Sequence, residues 1–344
     1  MTARGPLPGW MRPIAWVASH CYATGLRRRE ARLAGVEAWR APLPVISVGN
    51  VTAGGTGKSP MVRWICAQLR AAGRRPAVVM RGHRGGESSD EVLEHRAEMP
   101  DTPVAVGADR RAAIERLVAT DSSVDALVLD DGFQHRFVAR DLDLVLVDAQ
   151  GPSLQGAALL PLGWLREPIE ALRRADAVVL TRAERPDAGT DAVVRATCGR
   201  PAAARTRHAW SGLRVSDPVE GEQRWSLERL RGRAIAIWAG IGNPEALAEQ
   251  LRACGARVVD APALGDHHAF TAQGVARLEA RARRAGATDV LCTGKDWVKL
   301  RLLPRPTSMS ILRPELELAF LEGEEALRAL IFEAIARGDR RAGR

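Results

Sequence analysis

Residues 44–61 read PVISVGNVTAGGTGKSPM, and no other stretch of the chain limits its fold so strongly. An apolar, β-branched run, Val45–Val48, enters a glycine-rich loop that ends in Gly57-Lys58-Ser59, and an apolar-periodic segment follows. The order is strand, phosphate-binding loop, helix. Gly54, Gly55 and Gly57 allow successive backbone N–H groups to turn inward onto phosphate oxygens that side chains would obstruct. Lys58 brings a point charge to the transferring phosphate, and the Ser59 hydroxyl can ligate Mg²⁺. The N-terminus of the helix behind them favours negative charge. The loop Thr52-Ala53-Gly54-Gly55-Thr56-Gly57-Lys58-Ser59 therefore reads as a nucleoside triphosphate site, although the common spacing has glycine where Thr52 stands.

A chain of 344 residues has room for about two α/β domains with full cores. With 46% hydrophobic and 26% charged residues, it has the composition of a folded globular protein. Its formal net charge of +9 favours an anionic partner: nucleic acid, an anionic membrane surface or a phosphorylated substrate. The five cysteines are scattered and include no C-x-x-C pair, which argues against a disulfide framework or a metal cluster and fits a reducing compartment. No apolar run reaches the roughly 18 residues of a spanning helix, and no cleavable leader is recognisable.

From Pro42 onward, strands and helices alternate. Strands are expected at 43–48, 76–80, 103–106, 124–129, 142–147 and 177–180, with helices near 59–72 and 108–119 among them. A glycine-rich loop is expected from Arg81 to Asp90. Residues 206–232 read as a linker that could hold a hairpin. A second unit follows, with strands at 234–238, 256–259 and 289–293, helices at 244–253 and 271–285, and a last helix over 323–337. The fold class is therefore α/β and P-loop NTPase-like, with two α/β/α domains of mostly parallel sheet. The domain boundaries expected are 1–40 for an N-terminal segment, 41–205 for the nucleotide-binding domain and 206–232 for the linker. The second domain takes 233–322, and 323–344 forms the C-terminal helix and tail. Ligands gather at the carboxyl ends of the strands in such folds.

Three further groups carry chemistry. The run Ala126-Leu127-Val128-Leu129 leads straight into Asp130-Asp131, an apolar strand ending in acids, and one of these carboxylates can hold Mg²⁺ beside Ser59. Asp90 lies after the second strand, where a general base for a hydroxyl, or an orienting group for water, is needed. His267 and His268, in Gly265-Asp266-His267-His268, are the second candidates for proton handling, and Thr293-Gly294-Lys295-Asp296 can add a positive charge. At the other end of the chain, Trp10, Met11, Ile14, Trp16, Val17 and Tyr22 precede Arg27-Arg28-Arg29 and Arg32. Aromatic rings beside arginines suit the headgroup layer of an anionic membrane, and a helix packed on the body of the protein explains the same pattern equally well.

GNVTAGGTGKSP (49–60), DDGFQH (130–135), Arg166-Glu167-Pro168, Asp266-His267-His268 and TGKD (293–296) stand in the order found in the tetraacyldisaccharide 4'-kinase (lipid A 4'-kinase) family. The chain resembles that family from its aromatic and basic N-terminus to about residue 300, and the family also has threonine where Thr52 stands. The resemblance implies a kinase that uses ATP and Mg²⁺ and works in a cleft between two α/β domains. Its acceptor would be the 4'-hydroxyl of a lipid-linked tetraacyldisaccharide 1-phosphate. Its place would be the cytoplasmic face of the inner membrane, as a peripheral protein on an anionic surface, with an N-terminal membrane-associating helix. It further implies Asp90 as catalytic aspartate, supported by either His267 or His268, with Lys58 at the transferred phosphate. Asp130, Asp131 and Glu167, with Ser59, would form the Mg²⁺ shell, while Gln134, Arg110 and Arg166 would hold phosphates or position substrate. Three positions depart from the family pattern: His83 in place of tyrosine, Ser89 before Asp90 in place of glycine, and Gly294 in place of glutamate.

Two other classes compete on the residues alone. A nucleic-acid-dependent ATPase would use the +9 charge, but no basic stripe rich in stacking aromatics accompanies it, so no nucleic acid is expected. A regulatory GTPase would need an N/T-K-x-D base-reading motif, which Thr293–Asp296 only partly mimics. No protein partner is expected.

Overall fold

A computed structural model of the chain describes residues 5–82, 86–185, 188–241, 244–265, 268–303 and 307–343. These divide into two compact units, one of residues 1–87, 99–208 and 318–344, the other of residues 88–98 and 209–317.

The first unit carries the phosphate loop. Its strands are β1 (Val45–Asn50), β2 (Pro76–Met80), β3 (Val104–Val106), β4 (Ala126–Asp130), β5 (Leu142–Asp148), β6 (Ala177–Thr181) and the start of β7 (Ala204–Asp217). Their order across the sheet is β7-β6-β5-β1-β4-β2-β3, and each of these pairings is parallel. Such pairing needs crossovers, which α2 (Lys58–Ala71) and α4 (Arg110–Thr120) provide. Because both faces are covered, the central strands are mostly apolar, and β1, β2, β4 and β6 are buried at every residue. Alternate residues sort into separate cores. Val45, Val79, Leu127 and Leu129 pack with Ile114 of α4 in one, and Val145, Val147, Val178 and Leu180 pack with Phe133 and Leu165 in another. The C-terminal helix α9 (Glu324–Ala342) returns to this unit, where Gly338 lets its backbone press against Pro44.

The second unit contains β9 (Ala234–Trp238), β10 (Arg257–Asp260), β11 (Asp289–Cys292) and β12 (Ser310–Glu322), ordered β10-β9-β11-β12, with β12 beside β7. The first three pairings are parallel, whereas β8 (Gly221–Trp225) pairs antiparallel with β7. Helices α6 (Pro244–Ala253), α7 (Ala272–Arg284) and α8 (Gly294–Leu300) belong to it. Ile235 and Ile237 enter one core, and Ala236 and Trp238 enter the other.

Two segments differ from the reading of the sequence. Residues 206–232, expected as a linker that could hold a hairpin, form most of β7 and then β8, which are the two strands of an antiparallel hairpin, and a short 3-10 turn at Leu227–Leu230; the hairpin is there, but as a continuation of the sheet. Polar residues alternate along β7 and hide the strand in a charged stretch. Asp90, expected in a loop, is the first residue of a helix, α3 (Asp90–Glu98), that falls within the second unit. The aromatic and basic N-terminus is a helix, α1 (Arg12–Leu33), preceded by a 3-10 turn at Gly9–Met11. Among the described residues, no helix is long and apolar enough to cross a membrane.

Candidate functional site

The phosphate loop is held from three sides. Asn50, the last residue of β1, donates from Nδ2 to Thr56 Oγ1 at 2.9 Å. The Thr181 hydroxyl at the end of β6 donates to Thr56 O at 2.9 Å. The segment 164–166 runs antiparallel beside 51–53. There Ala53 N donates to Trp164 O at 2.7 Å, Arg166 N donates to Val51 O at 2.8 Å, and Thr52 bridges to Leu165. Thr52 is buried in this bridge, at the position where the common motif has glycine. Gly54 has φ +116° and Gly57 φ +84°, both in the left-handed region that glycine enters without strain. Gly57 also lies against His208, whose Nε2 would stand 2.5 Å from a Cβ placed there. That nitrogen is buried and has no hydrogen-bond partner among the described residues. Burial, then the nearby Arg182 cation, pushes the imidazole pKa down, so His208 is held neutral. Neither Thr181 nor His208 is signalled in the sequence, because what places them here is the neighbouring order of β6 and β7.

Lys58 begins α2, and its Nζ lies 3.4 Å from Asp131 Oδ1. Arg166 meets the same carboxylate, with Nη1 at 3.0 Å from each oxygen. Burial pushes the Asp131 carboxyl up, but Lys58 and Arg166 together outweigh it and hold the group below its ordinary value. Asp131 therefore stays ionised and keeps two cations beside the loop. It adopts φ +53°, unusual for a residue with a side chain, directly after the buried Asp130 at the end of β4. In the following residues, Gly132 fits against Ser47 and Phe133 against Gly49 of β1, approaches that a Cβ on either glycine would block at 2.5 Å and 2.4 Å. Gln134 donates from Nε2 to Asn50 O at 2.8 Å. Arg110 is 5% exposed at the start of α4. Burial lowers its pKa, as does Arg81, while Asp131 and Asp130 act on it in the opposite sense.

Among the described residues, no three His, Cys, Asp or Glu side chains are grouped to hold a metal ion by themselves. Mg²⁺ does not require such a cage, since it keeps several waters and takes one or two carboxylates along with substrate phosphates. Asp130 at the strand end, and Asp131 within reach of Lys58, offer oxygens of that kind. Glu167 is buried, and its carboxylate is engaged by Arg174 at 2.5 Å and by Arg29 at 3.9 Å. Lys58, Asp131 and Arg166 are thus joined by direct contacts, Gln134 reaches the loop through Asn50, and Arg110 responds to the charge of the same acids.

The second unit holds Asp90 and His268, and His267 lies outside the described residues, as do Asp266 and His83. Asp90 pairs with Lys299 of α8, Nζ to Oδ2 at 2.8 Å. The same Nζ reaches His268 O at 3.5 Å, so one lysine faces both candidate proton-handling segments. His268 packs against Gly240 beyond β9 and meets the Phe270 ring edge-on, with centroids 4.9 Å apart. The Thr293–Asp296 motif caps α8: the Asp296 N–H donates to Thr293 Oγ1 at 3.2 Å, and the Thr293 hydroxyl donates to Asp296 Oδ2 at 2.6 Å. Asp296 also accepts from Gly240 N at 3.2 Å, which gives this motif a structural task. Lys299 has no sequence signal beyond its place in the helical run after that motif.

The chain matches the family model described as tetraacyldisaccharide-1-P 4'-kinase over residues 9–336. A tetraacyldisaccharide 4'-kinase of Anaeromyxobacter sp. (strain Fw109-5) is 39% identical over 325 residues, covering 87% of this chain and 85% of that one. That of Syntrophus aciditrophicus (strain SB) is 38% identical over 291 residues, 76% of each chain. Among solved structures, the Aquifex aeolicus LpxK crystallised in complex with ATP aligns with a TM-score of 0.71 at 26% identity, covering 94% of this chain and 99% of that one.

Proposed function

The chain belongs to the tetraacyldisaccharide-1-phosphate 4'-kinase family, and from that membership we propose that it transfers the γ-phosphoryl group of ATP to the 4'-hydroxyl of a tetraacyldisaccharide 1-phosphate, a step of lipid A biosynthesis. The observation that carries the reading is the ion-paired set Lys58–Asp131–Arg166 beside a glycine-rich loop that opens a helix.

The backbone N–H groups of residues 54–59 and the N-terminus of α2 bind the nucleotide phosphates. Lys58 follows the charge that moves onto the β–γ bridging oxygen as its bond to phosphorus breaks. Arg166 and Arg110 balance charge around the transferred group, and Gln134 holds the end of β1 against the loop. Ser59, Asp130, Asp131 and Glu167 would hold Mg²⁺, and the ion would supply charge neutralisation for the nucleotide phosphates. Asp90 accepts the proton of the acceptor hydroxyl as its oxygen bonds to the γ-phosphorus, and His267 or His268 supports it.

The acceptor is acylated, so the enzyme must meet it at a lipid surface. Trp10, Ile14, Trp16 and Val17 near the start of α1 are 78%, 61%, 54% and 56% exposed, and the exposed Arg27, Arg28 and Arg32 follow on the same helix. An apolar half and a basic half suit a helix lying in the headgroup layer of an anionic membrane. This supports a peripheral protein of the cytoplasmic face, where ATP is available.

Incubation with tetraacyldisaccharide 1-phosphate, ATP and Mg²⁺ should give the 1,4'-bisphosphate, and Lys58→Ala or Asp90→Ala should reduce its formation at least about a hundredfold. Absence of that product from the unaltered protein refutes the proposed reaction, and full activity in either variant removes that residue from its role. Trp10→Ser combined with Ile14→Ser should lower flotation with phosphatidylglycerol vesicles. Equal flotation would exclude α1 as the membrane contact.

A further inference from the structure

Helix α1 has two faces. Ala15, Ser19, Tyr22, Leu26, Arg29 and Leu33 recur at helical spacing and are buried or half-buried, while Ile14 and Val17 stand away from that stripe, exposed. An apolar stripe alone would make the inner face mere packing. Here three of its six side chains are polar, and each is committed to the first unit. The Ser19 hydroxyl donates to Leu159 O at 3.1 Å, the Tyr22 hydroxyl donates to Arg166 O at 2.8 Å, and Arg29 donates from Nη2 to Gln134 O.

The last two contacts open short routes to the phosphate loop. From Tyr22 the route passes to the Arg166 carbonyl, and the N–H of Arg166 donates to Val51 O at 2.8 Å. The side chain of that same residue grips Asp131 opposite Lys58. From Arg29 the route passes to Gln134, whose side chain donates to Asn50 O at 2.8 Å, and Asn50 donates to Thr56 Oγ1 at 2.9 Å. Arg29 also lies 3.9 Å from Glu167, and the neighbouring Glu30 pairs with Arg136 at 2.6 Å. The two routes reach the loop at both ends, Val51 at its start and Thr56 near its close.

We infer that Tyr22 and Arg29 are positioning residues of the nucleotide site, holding Arg166 and Gln134 in place from a helix whose other face is exposed. Neither side chain touches the loop itself, so each acts through the residue it holds. The inference rests on the reading of residues 52–59 as the ATP site. If α1 rests on a membrane, the same helix then supports the phosphate loop and seats the protein on the surface that carries its acceptor.

The test compares Tyr22→Phe/Arg29→Met with the unaltered protein and with Thr24→Ala, an exposed control on the same helix. Fluorescent ATP titration in the presence of Mg²⁺, flotation with phosphatidylglycerol vesicles and thermal unfolding are read on each. The double variant is expected to keep its vesicle binding and to raise both the Kd and the KM for ATP about tenfold. Tyr22→Phe alone, which deletes one hydroxyl, should raise them about threefold, and Thr24→Ala should match the parent. Nucleotide affinity in the double variant within twofold of the parent overturns the inference. So does a loss of vesicle binding and melting temperature without a change in the KM for ATP, which would mark the two residues as anchors of the helix only. Failure of the unaltered protein to bind ATP would instead overturn the reading of the loop, a separate result.

Discussion

Replacing Gly57 with alanine tests the geometry of the phosphate loop at its tightest point. Two costs add there. At φ +84° the residue sits in the left-handed region, where a Cβ costs about 1–2 kcal/mol. The new methyl group would also stand 2.5 Å from His208 Nε2, well inside van der Waals contact, and the imidazole has a buried nitrogen on that side. Overpacking of this kind costs about 1–3 kcal/mol. Gly57→Ala should therefore destabilise the protein by about 2–5 kcal/mol in urea unfolding and weaken ATP binding, because Lys58 and Ser59 follow directly. The two costs separate in a double-mutant cycle. In a His208→Ala background the methyl group has room, so only the backbone part, about 1–2 kcal/mol, should remain. A variant within about 0.5 kcal/mol of the parent refutes the strained-loop argument. An equal penalty in both backgrounds would show that His208 does not press on the loop.

Burial pushes the Asp143 carboxyl up to about 6, against the pull of Arg140 at 3.6 Å. The folded chain therefore takes up a proton between about pH 4 and 6 that the unfolded chain releases near 3.9, and the associated stability is lost as pH rises through that window. Relative to Asp143→Asn, which cannot ionise, the parent should lose about 2–3 kcal/mol between pH 4 and pH 7 in urea unfolding; a constant difference would exclude the shift. Lys299→Met removes the cation 2.8 Å from Asp90 and should lower kcat about tenfold while leaving the Kd for ATP unchanged, since the contacts it makes are to Asp90 and the His268 carbonyl. Unchanged turnover would show that Asp90 does not depend on that pair.

The phosphate loop was legible because its chemistry is local. A strand, three glycines, a lysine and a hydroxyl must be adjacent in sequence to be adjacent in space, and 45–61 folds accordingly into β1, loop and α2. The end of β4 was legible for the same reason, since the apolar run 126–129 and the acid that closes it are adjacent in sequence. The parallel sheet followed from alternation, and β2, buried at every residue, falls at the expected 76–80. What the residues concealed was long-range. Strand β7 carries polar residues along its length, and so 206–232 resembled a linker. The position of Asp90 at the head of α3 is marked by no proline or glycine, only by acids that suit a first helical turn as well as a loop.

The same distinction explains why the N-terminus was half-read. Trp10, Ile14 and Val17 declare an apolar face by type alone, but Tyr22 and Arg29 declare nothing until their partners are known, and those partners lie 144 and 105 residues away. A tyrosine hydroxyl ending on a backbone carbonyl is invisible to periodicity, which records only that position 22 falls on the inner stripe. Arg29 was more misleading still: within Arg27-Arg28-Arg29 it looks like one of three equivalent surface charges, yet helical geometry turns it inward while its two neighbours face solvent. A basic run on a helix therefore cannot be assigned to one partner as a block. Each arginine has to be placed by its angle on the helix, and here that angle separates charges available to an anionic surface from the one that holds Gln134 against the end of β1.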